Sequence, residues 1–134
     1  MKKIVIDIKG KPVGWQRAGV NNGRHFTQTQ TRQYERMTRA TFLSEYRESD
    51  AFKEHEAVKA EIYAYFERPN KTKLKFVTKK PDADNVSKII LDALNGLAYK
   101  DDSQIVALYV FKLWSQGDPH VRVELSEWMG VIDL

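Results

Sequence analysis

The chain contains no cysteine. That excludes disulfides, thiol catalysis and cysteine-ligated zinc, and it accords with a reducing cytoplasm, the compartment expected here. Histidine is scarce as well. His25, His55 and His120 lie far apart without paired ligand spacing, so no histidine-built metal centre is expected. Long hydrophobic runs are missing, and the opening MKKIVIDIKG breaks its apolar alternation with charges. Neither a membrane span nor a secretory signal is therefore expected. There is no internal repeat, low-complexity tract or linker-like stretch, so the 134 residues are expected to form one domain, 1–134, around one core.

Acidic residues are locally absent in two places. None occurs between Asp7 and Glu35, where Lys9, Lys11, Arg17, Arg24 and Arg32 are basic. None occurs between Glu67 and Asp82, where Arg68, Lys71, Lys73, Lys75, Lys79 and Lys80 follow one another. Such zones suit a phosphate backbone. Either zone alone is explained as well by solvated loops or by edge-strand lysines that discourage sheet association. The adjacency decides for nucleic acid, because the second zone runs straight into Pro81-Asp82-Ala83-Asp84. In a protein of net charge +4, acids gathered at one point call for a cation among them.

The rest of the chain reads as a mixed α/β fold of the α+β type, with a sheet of four to five strands and two helices. Ile4, Ile6 and Ile8 alternate with polar partners as an opening strand. Residues 10–28 hold four of the seven glycines and form a long turn-rich segment. A helix is predicted from about Gln30 to Tyr46, with Tyr34, Met37, Thr41 and Phe42 on one side. Val58 to Phe66 alternates strictly and reads as a half-buried strand. Pro69-Asn70 turns it, and Leu74 to Val77 is predicted as a short partner strand. Val86, Ile89, Ile90, Ala93, Leu94 and Leu97 fall on one helical stripe, with Asp84 or Asn85 as the cap and Gly96 as the stop. Ile105 to Trp114 is apolar on both faces, as in a central strand or one buried in a dimer. Val121, Val123 and Leu125 mark a last strand.

The helical stripe directs Lys88, Asp92 and Asn95 away from the core. Pro81 favours an extended segment, in which Asp82 and Asp84 would point the same way. Mg²⁺ takes hard oxygens, keeps several waters and needs only one or two carboxylates beside substrate phosphate. Taken singly, each residue has a plainer reading. Asp84 is an N-cap, Asp82 complements the helix dipole, Lys88 pairs with Asp92, and Asp101 and Asp102 are turn residues. Taken together, one site accounts for them better.

The blocks PDADNVSKIILDALNG and YKDDSQI resemble the RusA family of Holliday-junction resolvases of bacteria and their prophages. That family carries Asp-x-Asp-Asn-x-x-Lys at the start of a helix and Asp-Asp-x-Gln downstream. The resemblance covers about 24 of the 134 residues. It implies a small mixed α/β homodimer that binds four-way DNA junctions and cuts two strands symmetrically, using Mg²⁺ or Mn²⁺, in recombination and repair. Carried over by position, Asp82, Asp84 and Asp102 bind metal, and Lys88 is the basic residue beside them. Lys71, Lys73, Lys75, Lys79, Lys80, Arg17 and Arg24 are the expected DNA contacts. The two-fold symmetry of the junction suits a dimer.

Whether Asp102 joins the site from its own chain depends on the path after the helix. Residues 85–96 carry the backbone about 18 Å, and 97–102 return at most about 20 Å. Only a segment running straight back suffices, and the alternation of Leu97 and Tyr99 favours that path. Two other readings stand beside the nuclease. One is a non-catalytic DNA-binding module. The other is a small phosphatase of the haloacid-dehalogenase type with Asp82 as nucleophile, although that motif follows a buried strand near the start of a larger domain.

Overall fold

The computed structural model describes residues 2–16 and 24–131, with residues 24–28 described by their backbone alone. In chain order the elements are β1 (Lys3–Lys9), α1 (Arg24–Glu45), β2 (Val58–Glu67), α2 (Ala83–Leu94), β3 (Ile105–Ser115) and β4 (His120–Glu127). The strands form one mixed sheet of order β1-β4-β2-β3. β2 runs parallel to β3 and antiparallel to β4, and β1 is antiparallel to β4. The fold is thus α+β, with four strands and two α-helices among the described residues.

Strict alternation produces the core. Ile6 pairs with Val123, which pairs with Ile62, so the apolar residues of three strands line up across the sheet. All three are buried, as are Ile4, Ile8, Ala60, Ala64, Val121 and Leu125 beside them. α2 covers this layer with Val86, Ile89, Ile90, Ala93 and Leu94, the stripe read from the sequence. The opposite sheet face carries stacked aromatics, with Tyr63 and Phe111 ring centroids 5.2 Å apart. It also carries ion pairs linking Lys3, Glu124, Arg122 and Asp7. Tyr63 donates to Glu61 there, and that bond first, with some burial, pushes its hydroxyl pKa up to about 12.

Four expectations need correction. α1 begins at Arg24, inside the stretch read as a loop, and residues 17–23 lie outside the described residues. Its buried stripe is Tyr34, Thr38 and Phe42, in steps of four, while Met37 faces solvent. The Thr38 hydroxyl donates to the Tyr34 carbonyl at 2.9 Å, which lets a polar residue occupy that position. Residues 74–77 form no strand. β2 is already paired on both sides, so it has no free edge to offer them. Finally, β3 is an edge strand rather than a central one. Val106, Leu108, Tyr109, Phe111 and Leu113 are all exposed along it. Apolar residues on both faces describe equally a buried strand and an uncovered apolar edge.

The start of β3 is fastened by one buried side chain. The Gln104 amide oxygen accepts from the Lys100 and Asp101 N–H groups at 2.8 and 3.0 Å. Its amide nitrogen donates to the carbonyls of Lys53 and Glu56 at 2.7 and 3.0 Å. Gln104→Ala leaves all four groups without that partner and is expected to destabilise the protein by about 2 kcal/mol. Urea unfolding checks this through a lower midpoint at unchanged slope.

Candidate metal and nucleic-acid site

The segment 68–82 leaves the C-terminal end of β2 and delivers the chain to α2. It is pinned to the far end of β3, where Trp114 Nε1 donates to the Leu74 carbonyl at 3.1 Å and Lys112 Nζ donates to the Lys79 carbonyl at 2.6 Å. Lys79 Nζ lies 5.5 Å from the Trp114 ring centroid. The Lys80–Pro81 peptide is cis. Lys71, Lys73, Lys75, Lys79 and Lys80 are all exposed along this segment. Of the two arginines expected beside them, Arg17 lies outside the described residues and Arg24 is described only as the first residue of α1.

Asp82 is the N-cap of α2, with extended backbone at φ −69° and ψ 151°. Its carbonyl accepts the first helical bond, from Val86 N–H at 3.0 Å. The helix therefore starts two residues earlier than a cap at Asp84 would allow, and Asp84 lies within the first turn. The extended-segment route to pairing the two aspartates does not apply, since Ala83 is already helical. The Asp82 side chain, although at the cap position, makes no cap hydrogen bond. Both aspartates are exposed, and among the described residues neither carboxylate has a hydrogen-bond or ion-pair partner. Two unengaged hard-oxygen donors at a helix start fit Mg²⁺, which completes its shell with water and phosphate.

Lys88 lies one turn further on, directed outward as its place opposite the stripe requires. Its Nζ stands 3.4 Å from Asp92 Oδ2 and 4.8 Å from the Trp15 ring centroid. Trp15 belongs to a strap, residues 11–16, laid across the start of α2, and its N–H donates to the Asn85 carbonyl at 2.9 Å. Gly14 permits this approach. A Cβ there would stand 2.7 Å from Pro81 Cβ and 3.3 Å from Asn85 Cβ. A cavity of about 460 Å³ opens between strap and helix, walled by Trp15, Pro81, Asp82 and Asn85 among others. A second, of about 420 Å³, shares Lys11, Pro12, Lys80 and Pro81 with it and reaches Phe66. Behind Lys88, Glu35 has its pKa raised by burial first and by Asp92 second, with Arg39 and Lys88 opposing.

Asp102 lies beyond the other end of α2. Leu97 and Ala98 N–H both bond to the Leu94 carbonyl at 3.0 Å, and Phe52 N–H bonds to the Ala98 carbonyl at 2.8 Å. The chain thus turns at the helix end rather than running back along it, and the condition for Asp102 to reach Asp84 within one chain is not met. Of the adjacent pair, Asp101 is the turn residue. Its carboxylate accepts from Ser103 N–H at 3.0 Å, and hydrogen bonding by the Ser103 side chain first and this N–H second lowers its pKa. Among the described residues the Asp102 side chain has no such bond. Tyr99, donating to the Leu91 carbonyl at 2.7 Å, has its pKa raised by burial first, then by Asp102 and Asp92. Among the described residues, no three acidic or imidazole side chains converge to hold a metal.

Trp15 and Gly14 lie outside the motifs read from the sequence, and Gln104 is the glutamine of the Asp-Asp-x-Gln block, for which no role was read. A tryptophan between Gly14 and Gln16 in a turn-rich stretch was the available signal for the strap.

The family model described as Endodeoxyribonuclease RusA matches residues 9–126, and the chain belongs to this family. A stretch of 50 residues is 54% identical to the "Uncharacterized protein YqaN" of Bacillus subtilis (strain 168). That match spans 37% of this chain and 34% of that protein. No helix among the described residues is long and apolar enough to cross a membrane.

Gly14→Ala forces the strap off α2, at an expected cost of about 1–3 kcal/mol. Amide exchange read by NMR checks the cause, since the Trp15 N–H should lose protection while β2 amides keep theirs.

Proposed function

We propose that this protein is a divalent-metal-dependent endonuclease that binds four-way DNA junctions and resolves them by paired symmetric cuts. The observation that carries the reading is the start of α2. Two exposed carboxylates without partners among the described residues stand there, directly after a lysine-rich segment, in a chain of the RusA family. A phosphatase nucleophile would instead end a buried strand, and residues 68–82 contain none.

Asp82 and Asp84 hold Mg²⁺ or Mn²⁺ in this reading. The bound cation supplies an activated water and neutralises charge on the cleaved phosphodiester. Lys88 stabilises a phosphate oxygen, for which its ammonium must exchange Asp92 for the substrate. Their pairing is exposed, worth about 0.5 kcal/mol or less, so the exchange is easy. Lys11, Lys79 and Lys80, together with the lysines upstream, carry the phosphate backbone past the carboxylates.

The active form is a homodimer, and β3 is the surface proposed for it. Among the described residues its outer edge is unpaired, and it is apolar on both faces, a template for another strand. Two copies of β3 related by a two-fold axis pair antiparallel. The start of one β3 then meets the end of the other, where Trp114 and Lys112 hold the basic segment. Asp102, just before β3, thereby approaches the carboxylates of its partner.

Asp84→Asn is expected to abolish cleavage of a labelled four-way junction while binding and thermal stability are kept, because neither depends on that carboxylate. Retained cleavage would reduce Asp84 to a surface residue of the helix start, whereas wild-type protein that binds the junction and leaves it uncut would be a non-catalytic DNA-binding module. Mixing Asp84→Asn with Asp102→Asn protein tests the shared site. A partner-supplied Asp102 leaves one intact site per heterodimer, which nicks a single strand, whereas a site closed within each chain leaves none and gives no product.

A further inference from the structure

The basic segment also carries two side chains that charge does not explain. Phe76 is 67% exposed and Leu74 is 41% exposed, in a run whose neighbours are Lys73, Lys75, Lys79 and Lys80. The backbone beneath them is tied down. Leu74 N–H donates to Thr72 Oγ1 at 3.2 Å, and its carbonyl accepts from Trp114 at 3.1 Å. Thr78 N–H donates to the Phe76 carbonyl at 2.9 Å. Val77, between them and the lysines that follow, is buried and anchors the run. Lys75 Nζ lies 5.5 Å from the Phe76 ring centroid. An aromatic ring is thus held out to solvent on a bonded backbone, within a field of lysines.

We propose that Phe76, with Leu74 beside it, is a wedge that stacks on unpaired or unstacked bases at the branch point of the junction. This rests on the reading of the ligand as junction DNA. A ring flanked by cations cannot favour an apolar protein surface without burying those charges. Nucleic acid satisfies both, because phosphates take the lysines and any base offers a π-face to the ring. Apolar side chains inserted at a base step are an established way for a protein to hold DNA deformed. A four-way junction suits such a wedge, since its central base pairs have lost stacking continuity on one side. Phe76 is six residues from Asp82, a reach of at most about 20 Å, so base and cleaved phosphate can belong to neighbouring nucleotides. The wedge then selects branched over linear DNA, while the lysines contribute affinity for both.

The test uses a four-way junction carrying 2-aminopurine at the branch point, titrated in EDTA so that no cleavage intervenes. Wild-type protein is expected to raise the fluorescence as the base is unstacked from its neighbours. Phe76→Ala should lose most of that rise and weaken junction binding about ten-fold or more. Its binding to linear duplex should change less than about two-fold, and Phe76→Trp should restore the junction preference. Equal fluorescence and equal junction preference in Phe76→Ala overturn the wedge. So does a loss that coincides with a change in molar mass by light scattering, which assigns Phe76 to a protein interface. The nuclease reading is scored separately, by adding Mg²⁺ to wild-type protein. Unstacking without cleavage sinks the nuclease and leaves the wedge, and cleavage without unstacking does the reverse.

Discussion

The parallel pairing of β2 with β3 is the constraint on which the rest of this structure depends. Two strands running the same way cannot be joined by a tight turn, and the connection must cross the sheet. The crossover spans residues 68–104 and contains α2. It necessarily starts its helix near the C-terminal end of β2, the end where open sheets commonly gather their ligands. Asp82, Asp84, the lysine-rich segment and the strap over Pro81 all meet at that end. Asp101, Asp102 and Gln104 are committed to the opposite end by the same geometry. One pairing choice therefore both brings the two candidate carboxylates to one end of the sheet and separates them from the third aspartate.

Much of this was legible in the sequence where one face of an element is buried and the other is wet. β1, β2, β4 and α2 were readable because Ile4, Ile62, Val123 and Ile90 each recur at the period of their element. The readings failed where periodicity is silent about context. β3 is apolar on both faces whether it is central or an open edge, so Phe111 and Leu113 could not locate it. Leu74 and Phe76 alternate like strand residues, yet the positions beside β2 were already taken by strands distant in sequence. Met37 and Thr38 compete for one helix face, and hydrophobicity prefers the wrong one. The buried threonine is tolerated through a bond to its own backbone, which composition does not reveal.

The candidate site residues divide in a similar way. Asp82, Asp84 and Lys88 were identifiable from spacing and from likeness to a family motif, because both depend on neighbouring positions. The strap was not, since its contact with Asn85 joins residues about seventy positions apart and depends on Gly14 lacking a side chain. Nor could spacing tell Asp101 from Asp102. The structure separates them by hydrogen bonding, with one carboxylate committed to Ser103 and the other, among the described residues, without a hydrogen-bond or ion-pair partner.

The open edge of β3 has a consequence for kinetics. If a chain lacks a complete set of acids until a second chain adds to that edge, the population of competent sites follows the dimerisation equilibrium. Well below the dissociation constant it varies as the square of protein concentration, so halving the protein leaves a quarter of the activity. On the proposed nuclease reading, branched DNA that recruits two chains to one place would then raise the share of complete sites.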